Sequence, residues 1–224
     1  MAQNVAFVPA WRNSTFPLRP GPDGAACGKA GTRLGAGMPD APRILAFSGS
    51  ARRESLNRKL LAVAVGAVRD AGGQVTLLDL NELAMPLYHG DLEDEHGMPA
   101  NATKLVELIL SHDALLVASP EYNAFITPLL KNTIDWCTRA EENPFTGKVA
   151  AVISASPGMF GGVRSAQHAR ALLLHIGCQV VPAQCFLPRA HEAFDENGGL
   201  KDARARKQVE TVAKDLVQLT TRLT

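Results

Sequence analysis

The chain has 224 residues, a formal net charge of +1 and 46% hydrophobic residues, enough for one domain with a substantial core. That balance leaves no electrostatic footprint for nucleic acid, and no apolar run is long enough to span a membrane. Cys27, Cys137, Cys178 and Cys185 are widely spaced, which fits buried thiols in a reducing, cytoplasmic setting; six scattered histidines lack metal-ligand spacing, so no metal is expected.

Residues 1–42 hold 6 of the 14 prolines and 6 of the 19 glycines and show no sustained period. Such a stretch buries too little apolar surface to offset its ordering entropy, and it is expected to be a flexible extension that adds no domain. Prolines at 9, 17, 20 and 22 speak against the amphipathic helix of a transit peptide.

From Arg43 onward, strand and helix patterns alternate. Ile44–Phe47 is the first apolar run, and Leu56, Leu60, Leu61, Ala64 and Val68 mark one helical face ended by Gly72-Gly73. Val75–Leu80 reads as a second strand, Ala102–Leu110 as a short helix and Ala114–Ala118 as a buried strand. Thr127 is an N-cap with Pro128 at the first helical position, opening a helix to about Arg139. Val149–Ser154 is a fourth strand, Gly162–Ile176 a helix and Val180–Leu187 a fifth strand. The last helix carries Val209, Val212, Leu216, Leu219 and Leu223, a stripe suited to packing on a sheet. Five apolar strands alternating with helices imply an α/β fold whose parallel sheet is covered on both faces. Two doubly wound orders are common, the Rossmann type and the order 2-1-3-4-5.

The chemistry sits in the loops after the strands. Ser48-Gly49-Ser50-Ala51-Arg52-Arg53-Glu54-Ser55-Leu56-Asn57 joins a strand to a helix start, where free N–H groups and the helix dipole favour an anion. Hydroxyls, an amide and a guanidinium there suit phosphate oxygens, although no Walker or dinucleotide glycine pattern is present. In the order 2-1-3-4-5 the next strand-end loop, Pro120-Glu121-Tyr122-Asn123, lies beside it. A phosphate pocket next to a tyrosine and an amide is what a mononucleotide with a planar ring needs. Glu121 and Asn123 can equally be read as shaping the turn ahead of Thr127. A third loop, Ser154 to Gly162, has glycines at 158, 161 and 162 that permit close backbone approach.

Together Ser50-x-Arg52-x-x-Ser55-x-Asn57, Pro120-Glu121-Tyr122-Asn123 and Ser156-x-Gly158-x-x-Gly161-Gly162 resemble the signature loops of the flavodoxin-like NADPH-dependent FMN reductases, relatives of quinone and chromate reductases and azoreductases. Met85-Pro86-Leu87-Tyr88 and Lys131–Trp136 also resemble family segments, and the likeness covers about residues 43–220. It implies a three-layer flavodoxin-like fold with a five-stranded parallel sheet in the order 2-1-3-4-5. It further implies that Ser50, Arg52, Ser55 and Asn57, with Leu56 among them, hold the FMN phosphate. Pro120, Glu121, Tyr122 and Asn123 would line the ring edge, and Ser156 and Gly158 the ring's other side. NADPH would be the co-substrate and a small molecule such as a quinone, azo compound, chromate or flavin the acceptor, in ping-pong turnover. No catalytic side chain is expected, because the flavin carries the chemistry. A homodimer or homotetramer is the implied assembly. The acidic stretch Asp91–Glu95 reads as a solvated loop. The competing reading is a flavodoxin-type electron carrier, but residues 43–224 carry 19 basic and 20 acidic side chains, far from a strongly acidic surface. A flavin-free scaffold on the same fold is the third possibility.

Overall fold

Apolar runs bounded by turn residues become the strands of one parallel sheet. The computed structural model describes residues 41–224. In chain order the elements are β1 (Arg43–Ser48), α1 (Leu56–Asp70), β2 (Gln74–Leu78), a 3-10 turn (Leu80–Leu83), α2 (Gly90–His96), α3 (Ala100–Leu110), β3 (Ala114–Ala118), α4 (Pro128–Cys137), β4 (Val149–Ala155), α5 (Val163–His175), β5 (Gln179–Val180), β6 (Cys185–Leu187) and α6 (Ala203–Leu223). The sheet runs β2-β1-β3-β4-β5, with β6 also pairing β4. The order 2-1-3-4-5 is therefore the one the chain adopts, and the Rossmann order is not. Every pairing is parallel, from Phe47 opposite Leu78 and Val117 to Ala118 opposite Ile153.

Alternation along β1 divides the core into two layers. Ile44 and Ala46 pack with Leu60, Leu61, Val65 and Val68 of α1 and Val209, Val212 and Leu216 of α6. Leu45 and Phe47 face the opposite way, onto Leu105 and Ile109 of α3, Leu130 and Ile134 of α4, and Leu173 of α5. Strands β3 and β4 are buried along their whole length, as central strands covered on both faces must be. Truncating any of these leucines to alanine should cost about 2–5 kcal/mol.

Three local departures from the sequence expectations have physical causes. The expected fifth strand is two short ones, β5 and β6. Val180 opposes Ala150 while Cys185 opposes Ile153, so Val181–Gln184 face only Ala151 and Val152 across the gap. Pro182 within that stretch has no N–H to give to the ladder. Strand β2 lies at the sheet edge with Leu77 exposed, so the sheet is not covered on both faces there, and Leu80 leaves the strand for the 3-10 turn. The acidic stretch is a helix, α2, rather than a loop; it buries none of its residues, so it has no apolar period to read.

The expected flexible extension, residues 1–42, lies outside the described residues except for its last two. Pro42 O accepts from Gln74 N–H at 2.9 Å, which places residue 42 with the sheet.

Candidate flavin site

At the carboxyl ends of β1, β3 and β4, three loops meet around a cleft of about 100 Å³. Ser50, Arg52, Ser55, Leu56 and Asn57 line it from the first loop, Pro120, Glu121 and Tyr122 from the second, and Ala155, Ser156 and Pro157 from the third. Of the sequence-predicted residues, Asn123 and Gly158 lie outside this lining. Ala155 and Pro157 are the members that sequence reasoning did not single out. Their signal was position alone, beside Ser156 at a strand end.

Chain geometry explains why these loops come together. Gly49 N–H donates to Ala118 O at 3.0 Å, so β1 and β3 stay paired one residue past the strands. A Cβ on Gly49 would stand 2.7 Å from Leu130 Cβ, which leaves only glycine room beneath α4. Thr127 caps α4 by accepting from Leu130 N–H at 3.3 Å, and its hydroxyl donates to Gly49 O at 2.6 Å. One threonine thus starts a helix and fixes the anion loop.

Ser55 is the N-cap of α1, accepting from Arg58 N–H at 3.3 Å, and Ser50 Oγ accepts from Arg52 N–H at 3.4 Å. The Asn57 carboxamide donates to Ala155 O at 2.8 Å and accepts from Ala155 N–H at 2.9 Å. Asn57 is therefore first a clamp between α1 and β4, with a single N–H left for a ligand. No acceptor among the described residues takes the backbone N–H groups of Ser50, Leu56 or Asn57. Ser48 adds a buried hydroxyl without a partner among those residues. The Arg52 side chain is exposed at the rim and makes no ion pair among them.

The second and third loops are braced on each other. Glu121 is largely enclosed and pairs with Arg164, whose Nε donates at 3.0 Å and whose Nη2 also donates. Its other oxygen accepts from Ser165 N–H at 3.2 Å, closing the first turn of α5, whose N-cap Gly162 offers no side chain. Burial pushes the Glu121 carboxyl up, but the Arg164 guanidinium and the Ser165 N–H outweigh it, holding the group below the usual carboxylate range. Ser165 Oγ donates to Pro120 O at 2.6 Å, and Ser154 Oγ donates to Ser119 O at 2.7 Å. These serines were absent from the sequence-level site because each acts on a loop more than 30 residues away in the chain.

Tyr122 and Phe125 exchange both backbone hydrogen bonds, at 3.0 and 2.9 Å, across Asn123 and Ala124 at φ 49° and 65°. Both central residues are left-handed, the geometry of a tight two-residue hairpin turn, which asparagine tolerates better than alanine. Asn123 thus occupies the turn-forming position at the tip of its loop. The glycines of the third loop serve the fold as well as the cleft. A Cβ on Gly161 would meet the Leu187 backbone at 2.8 Å, and one on Gly162 would overlap Ser154 Oγ. In the second and third loops, Tyr122, Phe125, Met159 and Phe160 are exposed.

The model of the NADPH-dependent FMN reductase family matches residues 42–192. An NAD(P)H-dependent FMN reductase of Pseudomonas aeruginosa is 37% identical over 174 residues, covering 77% of this chain and 92% of the relative. The chain belongs to the NADPH-dependent FMN reductase family. An NADPH:quinone oxidoreductase of Arabidopsis thaliana is 33% identical over 186 residues, 81% of this chain and 93% of its own. Among solved structures, the flavoenzyme NAD(P)H:(acceptor) oxidoreductase of Paracoccus denitrificans superimposes with a TM-score of 0.72 at 28% identity, covering 81% of this chain and 98% of that one. The fold is flavodoxin-like, and the family places the chain among oxidoreductases. Among the described residues no helix is long and apolar enough to cross a membrane.

Proposed function

We propose that this chain is an FMN-containing reductase that takes hydride from NADPH or NADH and passes it to a small acceptor such as a quinone. The observation that carries the reading is the cleft of about 100 Å³ with unspent N–H donors at the start of α1. Its volume lies below the roughly 300–1,000 Å³ of whole-ligand sites, and suits a phosphate group and the first atoms attached to it. Its donor chemistry suits an anion, because N–H groups, hydroxyls and a guanidinium converge with the positive end of a helix. Glu121 is the one carboxylate in the lining, and Arg164 neutralises it.

When bound, FMN supplies the hydride and electron chemistry, and the chain's own residues position it. Ser50, Arg52 and the α1 N–H groups hold the phosphate. Pro120 and Tyr122, held by the Glu121–Arg164–Ser165 brace, present a flat edge, and Ser156 and Pro157 form the facing wall. Donor and acceptor share the open side of the crevice and occupy it in turn, which gives ping-pong kinetics. Tyr122, Phe125, Met159 and Phe160 form an apolar rim suited to a second copy, so that a homodimer or homotetramer completes the crevice.

The test is the absorbance and flavin content of the purified protein, followed by anaerobic titration with each nicotinamide. A yellow protein with one FMN per chain, bleached by NADPH, is expected. A colourless protein that takes up no FMN at micromolar concentration would overturn the reading.

A further inference from the structure

A second, larger cleft of about 420 Å³ opens between the segment after β6 and the start of α6. Its first segment is hydrogen-bonded to the third loop of the flavin cleft. Arg189 N–H donates to Gly158 O at 3.1 Å and Ala190 N–H to Ser156 O at 3.0 Å, while Ser156 itself lines the first cleft. Arg189, Lys201 and Arg204 line it together with the apolar Leu187, Pro188 and Ala205.

Three cations of the lining, Arg189, Lys201 and Arg204, face two carboxylates, Glu192 and Asp202. Asp202 Oδ1 accepts from Arg204 N–H at 2.8 Å as the cap of α6, and Glu192 lies 3.0 Å from His191 Nε2. Lys201 Nζ donates to the Glu192 carbonyl at 3.1 Å, a neutral partner that leaves its charge uncompensated. The guanidinium groups of Arg189 and Arg204 have no hydrogen bond or ion pair among the described residues. Asp202 already serves the helix end, so any anion here is held by side chains. Two planar forks beside a compact ammonium match a phosphate monoester better than a single carboxylate. The volume exceeds what an inorganic ion needs and falls in the range of sites for organic ligands.

Resting on the hydride-donor reading above, we propose that this cleft takes the 2′-phosphate of NADPH, with Arg189 and Arg204 selecting NADPH over NADH. The nicotinamide end reaches the flavin crevice, and the phosphate-bearing adenosine end extends past Ser156–Gly158 into the neighbouring cleft. A phosphate present on one donor and missing from the other is read by the cations that would otherwise stand unpaired.

The test pairs kinetics with a measurement that needs no flavin. Arg189 stands at φ 45°, so Arg189→Gly removes the charge while suiting the backbone; Arg204→Gln keeps a good helix former. In the double variant, KM for NADPH should rise about tenfold or more, while KM for NADH and the bound FMN stay within twofold of the parent. Calorimetry should find that adenosine 2′,5′-bisphosphate binds the parent, that 5′-AMP binds at least about tenfold more weakly, and that the variant loses that difference. Equal changes in KM for both nicotinamides, or unchanged bisphosphate binding in the variant, would overturn the assignment. Inorganic phosphate that competes as strongly as the bisphosphate would identify a plain anion site and also overturn it. Because the bisphosphate titration is independent of flavin, a colourless protein would defeat the reductase reading and still leave this cleft decided.

Discussion

The Glu121 carboxylate accepts from Arg164 and from Ser165 N–H, so one side chain both closes the start of α5 and ties it to the loop after β3. Its folded pKa lies below the ordinary value, so its contribution is full above about pH 4.3 and is lost as pH falls through the lowered value. Glu121→Gln should cost about 1 kcal/mol at neutral pH, a modest figure because the Arg164 head is more than half exposed. Urea unfolding of parent and variant across roughly pH 3 to 6 checks this: the gap should narrow toward the acid end. A constant gap would mean that Glu121 acts only as a neutral acceptor. Arg52 poses a different question, because it is a free rim cation. Arg52→Ala should weaken FMN binding by about 1.5 kcal/mol, and lysine should restore part of the loss, since it keeps the charge but not the fork. Fluorescence titration of the apoprotein with FMN measures both. Asn123 stands at a left-handed turn position. Asn123→Gly should leave stability within about 0.5 kcal/mol, whereas Asn123→Leu should cost about 1–2 kcal/mol through left-handed strain. Thermal unfolding compared with turnover separates that cost from any effect at the ring edge.

At the scale of elements, legibility followed the range of the interaction. Strands β3 and β4 stood out in the sequence because they are buried throughout and β1 because it is buried after Arg43, while α4 was marked by its cap and α1 and α6 by their apolar stripes. Ser50, Arg52 and Ser55 could be placed for the same reason: a strand, a turn and a helix start lie within a dozen residues. What the sequence did not reveal depends on contacts made across the fold. The clamp from Asn57 to Ala155 spans 98 positions and the pairing of Glu121 with Ser165 spans 44, distances over which no spacing rule operates. The strap from Pro86 to Glu93 is a further case. Tyr88 donates to Glu93 at 3.1 Å, Arg139 Nε grips the same carboxylate at 2.8 and 2.9 Å, and Trp136 Nε1 donates to Pro86 O at 2.8 Å. Arg139 holds the Glu93 carboxyl below its usual range, and Glu93 in turn raises the Tyr88 hydroxyl. With no buried residue of its own, α2 is fastened to the body by these polar contacts. Glu93→Ala should therefore speed amide hydrogen exchange in residues 86–96 while leaving β1, β3 and β4 protected. Equal loss of protection throughout would show that the strap is part of the global unfolding unit.

For the whole molecule, the question is how much chain the domain requires. The family match begins at residue 42, and Pro42 O is already bonded to Gln74 N–H beside the first strand pair. Among the described residues, both core layers are built from residues after 43. We therefore propose that residues 41–224 form a self-sufficient reductase domain. A fragment of that extent should match the full chain within about 2 °C in melting temperature and carry the same FMN per chain. It also offers an internal check on folding. Cys137, Cys178 and Cys185 are buried, and burial pushes each thiol up to about 12, so almost no thiolate is available to react near neutral pH. In the folded fragment all three should resist iodoacetamide at pH 8, and in urea all three should react, as read by intact mass. A fragment that alkylates rapidly without denaturant, or that melts well below the full chain, would show that the first forty residues contribute to the fold. Slow labelling together with an unchanged melting point would place the entire folding unit after them.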